Sequence, residues 1–73
     1  MRSRSLVGDP EIESKVLEVI RKAGIPVSID YVAHQIGVSW HTARSILLKL
    51  AAEGKVKAIN TTKSFVFALP GML

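Results

Sequence analysis

The chain has 73 residues, a formal net charge of +4 and a mean hydropathy of +0.29. That length admits one small domain, and an apolar content of 48% is too high for a disordered chain. The lack of cysteine excludes disulfides, thiolate metal sites and a cysteine nucleophile, and no apolar run approaches the roughly 18 residues of a membrane span, so a soluble, cytoplasmic protein is expected.

Residues 1–8, MRSRSLVG, are unpatterned and are expected to form a flexible arm. Asp9 followed by Pro10 marks a helix start, because the carboxylate can accept from first-turn amides and proline loses nothing at the first helical position. Glu11 and Glu13 then suit the positive end of the helix dipole. Ile12, Val16, Val19, Ile20 and Ala23 recur on one helical face, which Leu17 widens, and Gly24 ends the helix after Arg21 and Lys22. Pro26 forces Ile25 out of the helical region, so IPVS is extended but too short for more than a stub of strand.

Ser28 is placed to cap a second helix of about two turns, with Val32, Ala33 and Ile36 inward and Gly37 at its end. Val38 reads as a buried hinge, and Ser39 caps a third helix running to about Glu53. Its apolar stripe is Ala43, Ile46, Leu47 and Leu50, and Gly54 stops it. KVKAIN and FVFAL then read as two strands joined by the polar connection TTKS. Pro70 and Gly71 break the second strand, leaving residues 70–73 as a tail. The expected domain is 9–69.

Charge is unevenly placed along this order. Over Met1–Ile20, Arg2, Arg4 and Lys15 face Asp9, Glu11, Glu13 and Glu18, leaving −1. From Arg21 onward, Arg21, Lys22, Arg44, Lys49, Lys55, Lys57 and Lys63 face only Asp30 and Glu53, leaving +5. A polyanion is the partner this field favours.

Three helices separated by a short strand and a tight turn, then a hairpin, resemble the winged helix-turn-helix DNA-binding family, whose members include small MarR-like, ArsR-like and archaeal-type transcriptional regulators. The resemblance covers nearly all of Pro10 to Leu69 and is strongest over VSIDYVAHQIGVSWHTARSILLKLAAEGKV. Val32 and Ala33 match the family's apolar residue and alanine on the second helix. Gly37, Val38 and Ser39 match its turn, Thr42 and Ala43 the start of its third helix, and Leu50 with Gly54 the end. The implied fold is α+β, three helices and a two-stranded wing.

The resemblance also implies that the helix from Ser39 to Glu53 enters the major groove of double-stranded DNA. With its stripe turned to the core, Trp40, His41, Arg44 and Ser45 are left on the outer face. Arg44 suits guanine O6 and N7, His41 a base edge, and Trp40 a thymine methyl or a sugar. Ser39 and Thr42 can hold a phosphate at the helix start. Lys49, Lys55 and Lys57 add sequence-independent attraction, Lys63 in the wing loop can touch neighbouring backbone or minor groove, and Arg2 and Arg4 can reach a minor groove.

Blander roles stand beside these. Trp40 can lean over the second helix as core, Lys55 and Lys57 can guard an edge strand, and Arg2 and Arg4 can be a plain terminus. His34 and His41 are too few for a metal site, and Ser39 with His41 lacks an orienting carboxylate, so neither metal, cofactor nor catalysis is expected. No small-molecule ligand is evident. Phe65, Phe67 and Leu69 fall on one face of the last strand and Val66 and Ala68 on the other, and a small sheet can bury only one. With Leu48, Leu6, Val7, Met72 and Leu73, this apolar excess suggests a homodimer. The rival to DNA binding is a winged-helix docking module for proteins, or a ribosomal-type module that binds RNA.

Overall fold

A computed structural model describes residues 9–72 of the chain, so the expectations on Arg2, Arg4, Leu6, Val7 and Leu73 lie outside the described residues. Helix α1 (Pro10–Ala23) begins as its sequence dictates: the Asp9 carboxylate accepts the Glu11 amide at 2.9 Å, and Pro10 occupies the first turn. Gly24 closes it in the left-handed region at φ 71°, its amide donating to the Ile20 carbonyl. Helix α2 (Ile29–Ile36) and helix α3 (Trp40–Ala52) are capped in turn by Ser28 and Ser39. Between them Gly37 takes φ 74°, where an added Cβ would meet no neighbour, so it is the backbone angle rather than crowding that calls for glycine.

The stub of strand is real and does more than the sequence reading assigned it. Strand β1 (Val27–Ser28) pairs antiparallel with β3 (Phe65–Ala68), which also pairs with β2 (Lys57–Asn60), giving a three-stranded sheet of order β1-β3-β2. The expected two-stranded wing is thus anchored on its far side by the residues that lead into α2. Two hydrogen-bonding partners make β3 the central strand, and this bears on its burial.

The core forms where the three helices meet the root of the sheet. Val16 and Ile20 from α1, Val32 and Ala33 from α2, all four expected stripe residues of α3, and Phe67 from β3 pack in one cluster. Ala43, Ile46, Leu47, Leu50 and Phe67 are fully buried, and each large side chain among them contributes on the order of 1.5–3 kcal/mol. Val38 is half-buried at the margin of this cluster rather than within it, because the turn that carries it runs along the surface.

The alternation expected of the last strand does not hold. Phe67 and Ala68, on opposite faces, are both buried, while Phe65 is 48% exposed. Burial follows distance from the wing tip instead: β3 projects beyond the helices at Phe65 and is enclosed at its far end. The tail is not a loose end either, since Pro70–Met72 forms a 3-10 turn with Met72 packed against the core. Less apolar surface therefore remains for a second copy than the strand's sequence suggests.

One polar tie joins α1 to α3 beside this apolar cluster. Glu13, nearly buried on α1, receives the Lys49 ammonium of α3 at 2.9 Å, and the same ammonium reaches Glu53 at 2.6 Å. Glu53 is also approached by Lys55 at 3.6 Å.

Candidate nucleic-acid interface

The first turn of α3 is ordered by its own side chains. Ser39 Oγ accepts the Thr42 amide at 3.2 Å and donates to Thr42 Oγ1 at 3.0 Å. The pair thus caps the helix and at the same time sets two hydroxyl oxygens at its positive end, where an anion is favoured. Trp40, His41, Arg44 and Ser45 all stand exposed on the outward face of the same helix, as its apolar stripe requires. Trp40 is 43% exposed and meets His41 edge to face, with ring centroids 5.2 Å apart.

The second part is the wing tip, whose conformation is set by Thr61. Its amide donates to the Ser64 carbonyl at 2.7 Å, its hydroxyl donates to the same carbonyl at 2.6 Å, and its oxygen accepts the amides of Ser64 and Lys63 at 2.9 and 3.2 Å. A side chain that replaces backbone partners in this way gives a short polar turn a defined shape. Lys63 is carried at its apex, exposed.

Between α3 and the wing lies a cleft of about 400 Å³, lined by Trp40, Arg44 and Phe65 together with Ser28, Ile29 and Asp30 from the start of α2 and Ser64 from the wing. Trp40 is not part of the core cluster: it lines this cleft beside the start of α2 and remains 43% exposed. The sequence reading missed Asp30 and Phe65. Phe65 was visible only as apolar excess, and Asp30 carried no local signal, since nothing in the order of residues says that the start of α2 faces the wing.

The cations do not act as one field. Lys49 is committed to Glu13 and Glu53, which raise its pKa above the ordinary lysine value, the hydrogen bond that it donates to Glu13 being the larger cause. Expected as a free contributor of positive charge, it is instead a link between helices. Lys55 shares Glu53. Arg44, Lys57 and Lys63 are exposed and make no ion pair among the described residues, so their charge faces solvent undiminished. The structure thus places Ser39, Trp40, His41, Thr42, Arg44 and Ser45 within the cap and first two turns of α3, Trp40, His41, Arg44 and Ser45 being exposed, while Lys49, a turn beyond Ser45, is held by two carboxylates. No helix among the described residues is long and apolar enough to cross a membrane.

A sequence model for FaeA-like protein matches residues 12–66, from the first turn of α1 to Val66 in β3. No curated protein and no solved structure matches the chain significantly.

Proposed function

The chain belongs to the FaeA-like protein family, a family of small helix-turn-helix DNA-binding proteins, and from that premise we propose that it is a transcriptional regulator reading double-stranded DNA with α3 in the major groove. The observation that carries this reading is the outward face of α3: capped at Ser39, polar and aromatic over Trp40, His41, Arg44 and Ser45, and bearing the Arg44 guanidinium, which has no ion pair among the described residues. Arg44 donates to guanine O6 and N7, His41 meets a base edge, and Ser39 with Thr42 holds a phosphate. Lys63 and Lys57 contact the flanking backbone.

The test is an NMR titration of the labelled protein with a random-sequence duplex at low and moderate salt, following backbone amides and the Trp40 indole. Salt-sensitive shifts concentrated over residues 39–45 and 61–64 are expected, because phosphate contacts release counterions. Shifts indifferent to salt, or confined to Phe65 and Leu48 with growing protein concentration, would move the reading to a docking module for proteins. Leu48, 39% exposed, shares the outward face of α3 with Arg44 and Ser45, so on this reading it too faces the groove, and a homodimer would use the hairpin and the tail instead.

A further inference from the structure

The cleft between α3 and the wing holds one group, the Asp30 carboxylate, that suits a base edge and does not suit a phosphate backbone. Its walls include the rings of Trp40 and Phe65, and its charged groups are the guanidinium of Arg44 and the carboxylate of Asp30. A carboxylate repels phosphate, so a basic surface that only tracked the backbone would gain nothing from one here. Asp30 makes no ion pair with Arg44 or with any other cation among the described residues, and it is exposed, so donor and acceptor both face the opening.

The major-groove edge of a G·C pair offers two acceptors on guanine, N7 and O6, beside one donor, the N4 amino group of cytosine. Arg44 and Asp30 are the complement of that edge. An apolar wall beside them matches the methyl group of thymine, the one apolar feature of the groove. From this complementarity we infer that the cleft is a base-reading site in which Asp30 accepts from a cytosine N4 amino group and Phe65, with Trp40, encloses a neighbouring thymine methyl. Asp30 and Phe65 are then specificity-determining residues on elements other than α3. The inference rests on the proposed reading of α3 as the recognition helix.

Asp30 also lies in the first turn of α2, where negative charge favours the helix. A purely structural role would therefore change thermal stability and leave base preference alone. The experiment is selection from a duplex library with a randomised centre, run in parallel on the parent protein, Asp30→Asn, Phe65→Ala and Phe65→Leu, each checked for folding by circular dichroism. The parent is expected to enrich a motif containing cytosine and thymine at neighbouring positions. Asp30→Asn should lower the cytosine preference about fivefold or more, and Phe65→Ala should do the same to thymine, with Phe65→Leu between. Affinity for random duplex should hold or rise in Asp30→Asn, since a repulsive charge is lost. Variants that return the parent motif unchanged would overturn the inference while leaving DNA reading by α3 intact. A parent that binds random duplex but enriches nothing would also overturn it. A parent that binds no duplex at all would remove the proposed function itself, and the inference with it.

Discussion

The ammonium of Lys49 sits 2.9 Å from the carboxylate of Glu13, joining two helices at positions 36 residues apart in the chain. Glu13 is the only charged residue buried among those described, and the bond supplies the partner that its desolvated carboxylate requires. Removing the lysine leaves a near-buried negative charge alone; replacing both by apolar groups does not. Lys49→Met should therefore lower the melting temperature by more than the double variant Glu13→Leu with Lys49→Met. A single variant as stable as the double one would show that the pair is a surface contact only.

Stability should also depend on pH at both extremes. The Glu53 carboxyl is held below the usual carboxylate range chiefly by the Lys49 hydrogen bond, and that of Glu18 chiefly by Arg21. A depressed folded value means that the stabilisation is present above the unfolded value, about 4.3, and is lost as pH falls through the lower folded one. Lys49 is shifted the other way, so its share is present below about 10.4 and is lost as pH rises through its raised folded value. These groups are partly open to solvent, so the slopes should be shallow and weaker in salt. Melting curves of the parent and Lys49→Met across pH should diverge at neutral pH and converge at both ends. Parallel curves would sink the assignment.

Phe67 is the largest side chain fully buried, at the centre of the sheet and against the helices. Phe67→Ala should cost about 3–5 kcal/mol. For a domain this small that is a large part of the whole, roughly 0.05–0.15 kcal/mol per residue. Urea unfolding should show a strongly reduced midpoint, or a chain already unfolded in buffer. Phe65→Ala, at the exposed tip, should change the midpoint little.

Ser39→Ala removes the acceptor for the Thr42 amide and should destabilise the fold by about 1 kcal/mol. It also removes one of the two hydroxyls proposed to meet a phosphate. Ser39→Asp restores a cap but adds negative charge, so it should recover the melting temperature and not the DNA affinity. Recovery of both would mean that Ser39 touches no phosphate.

Arg44 and Lys63 should fail differently. Arg44→Ala should weaken binding to the preferred site by about 1–3 kcal/mol and relax base preference. Lys63→Ala should weaken binding uniformly across sequences and reduce the slope of log affinity against log salt by about 1. Lys49→Met should leave that slope unchanged, because its charge is already engaged by two carboxylates. A reduced slope for Lys49→Met would restore it to the DNA-facing cations.

Sequence was most informative where structure is local. The caps at Asp9, Ser28 and Ser39, the glycine ends at Gly24 and Gly37, and the stripe of Ala43, Ile46, Leu47 and Leu50 all follow from a residue and its neighbours within one turn. It was least informative where distant segments meet. Alternation in FVFAL could not reveal that Ala68 would be enclosed, because that depends on where the strand leaves the helices. Lys49 counts as a free cation until α1 and α3 are brought side by side, and the cleft has no counterpart in the order of residues.

Ser28 belongs to two structures at once. It pairs with Val66 in the sheet, and its hydroxyl accepts the Tyr31 amide at the start of α2. No linker separates β1 from α2, so the sheet and the helix cannot pivot there without giving up a ladder pair or a cap. The distance between the leading turn of α3 and the wing tip is in effect a fixed gauge. A duplex that does not match it must bend or narrow its groove to be held, and the cost of that deformation varies with sequence. On the proposed DNA-reading role, that gauge would let sites be told apart at base pairs the protein never touches.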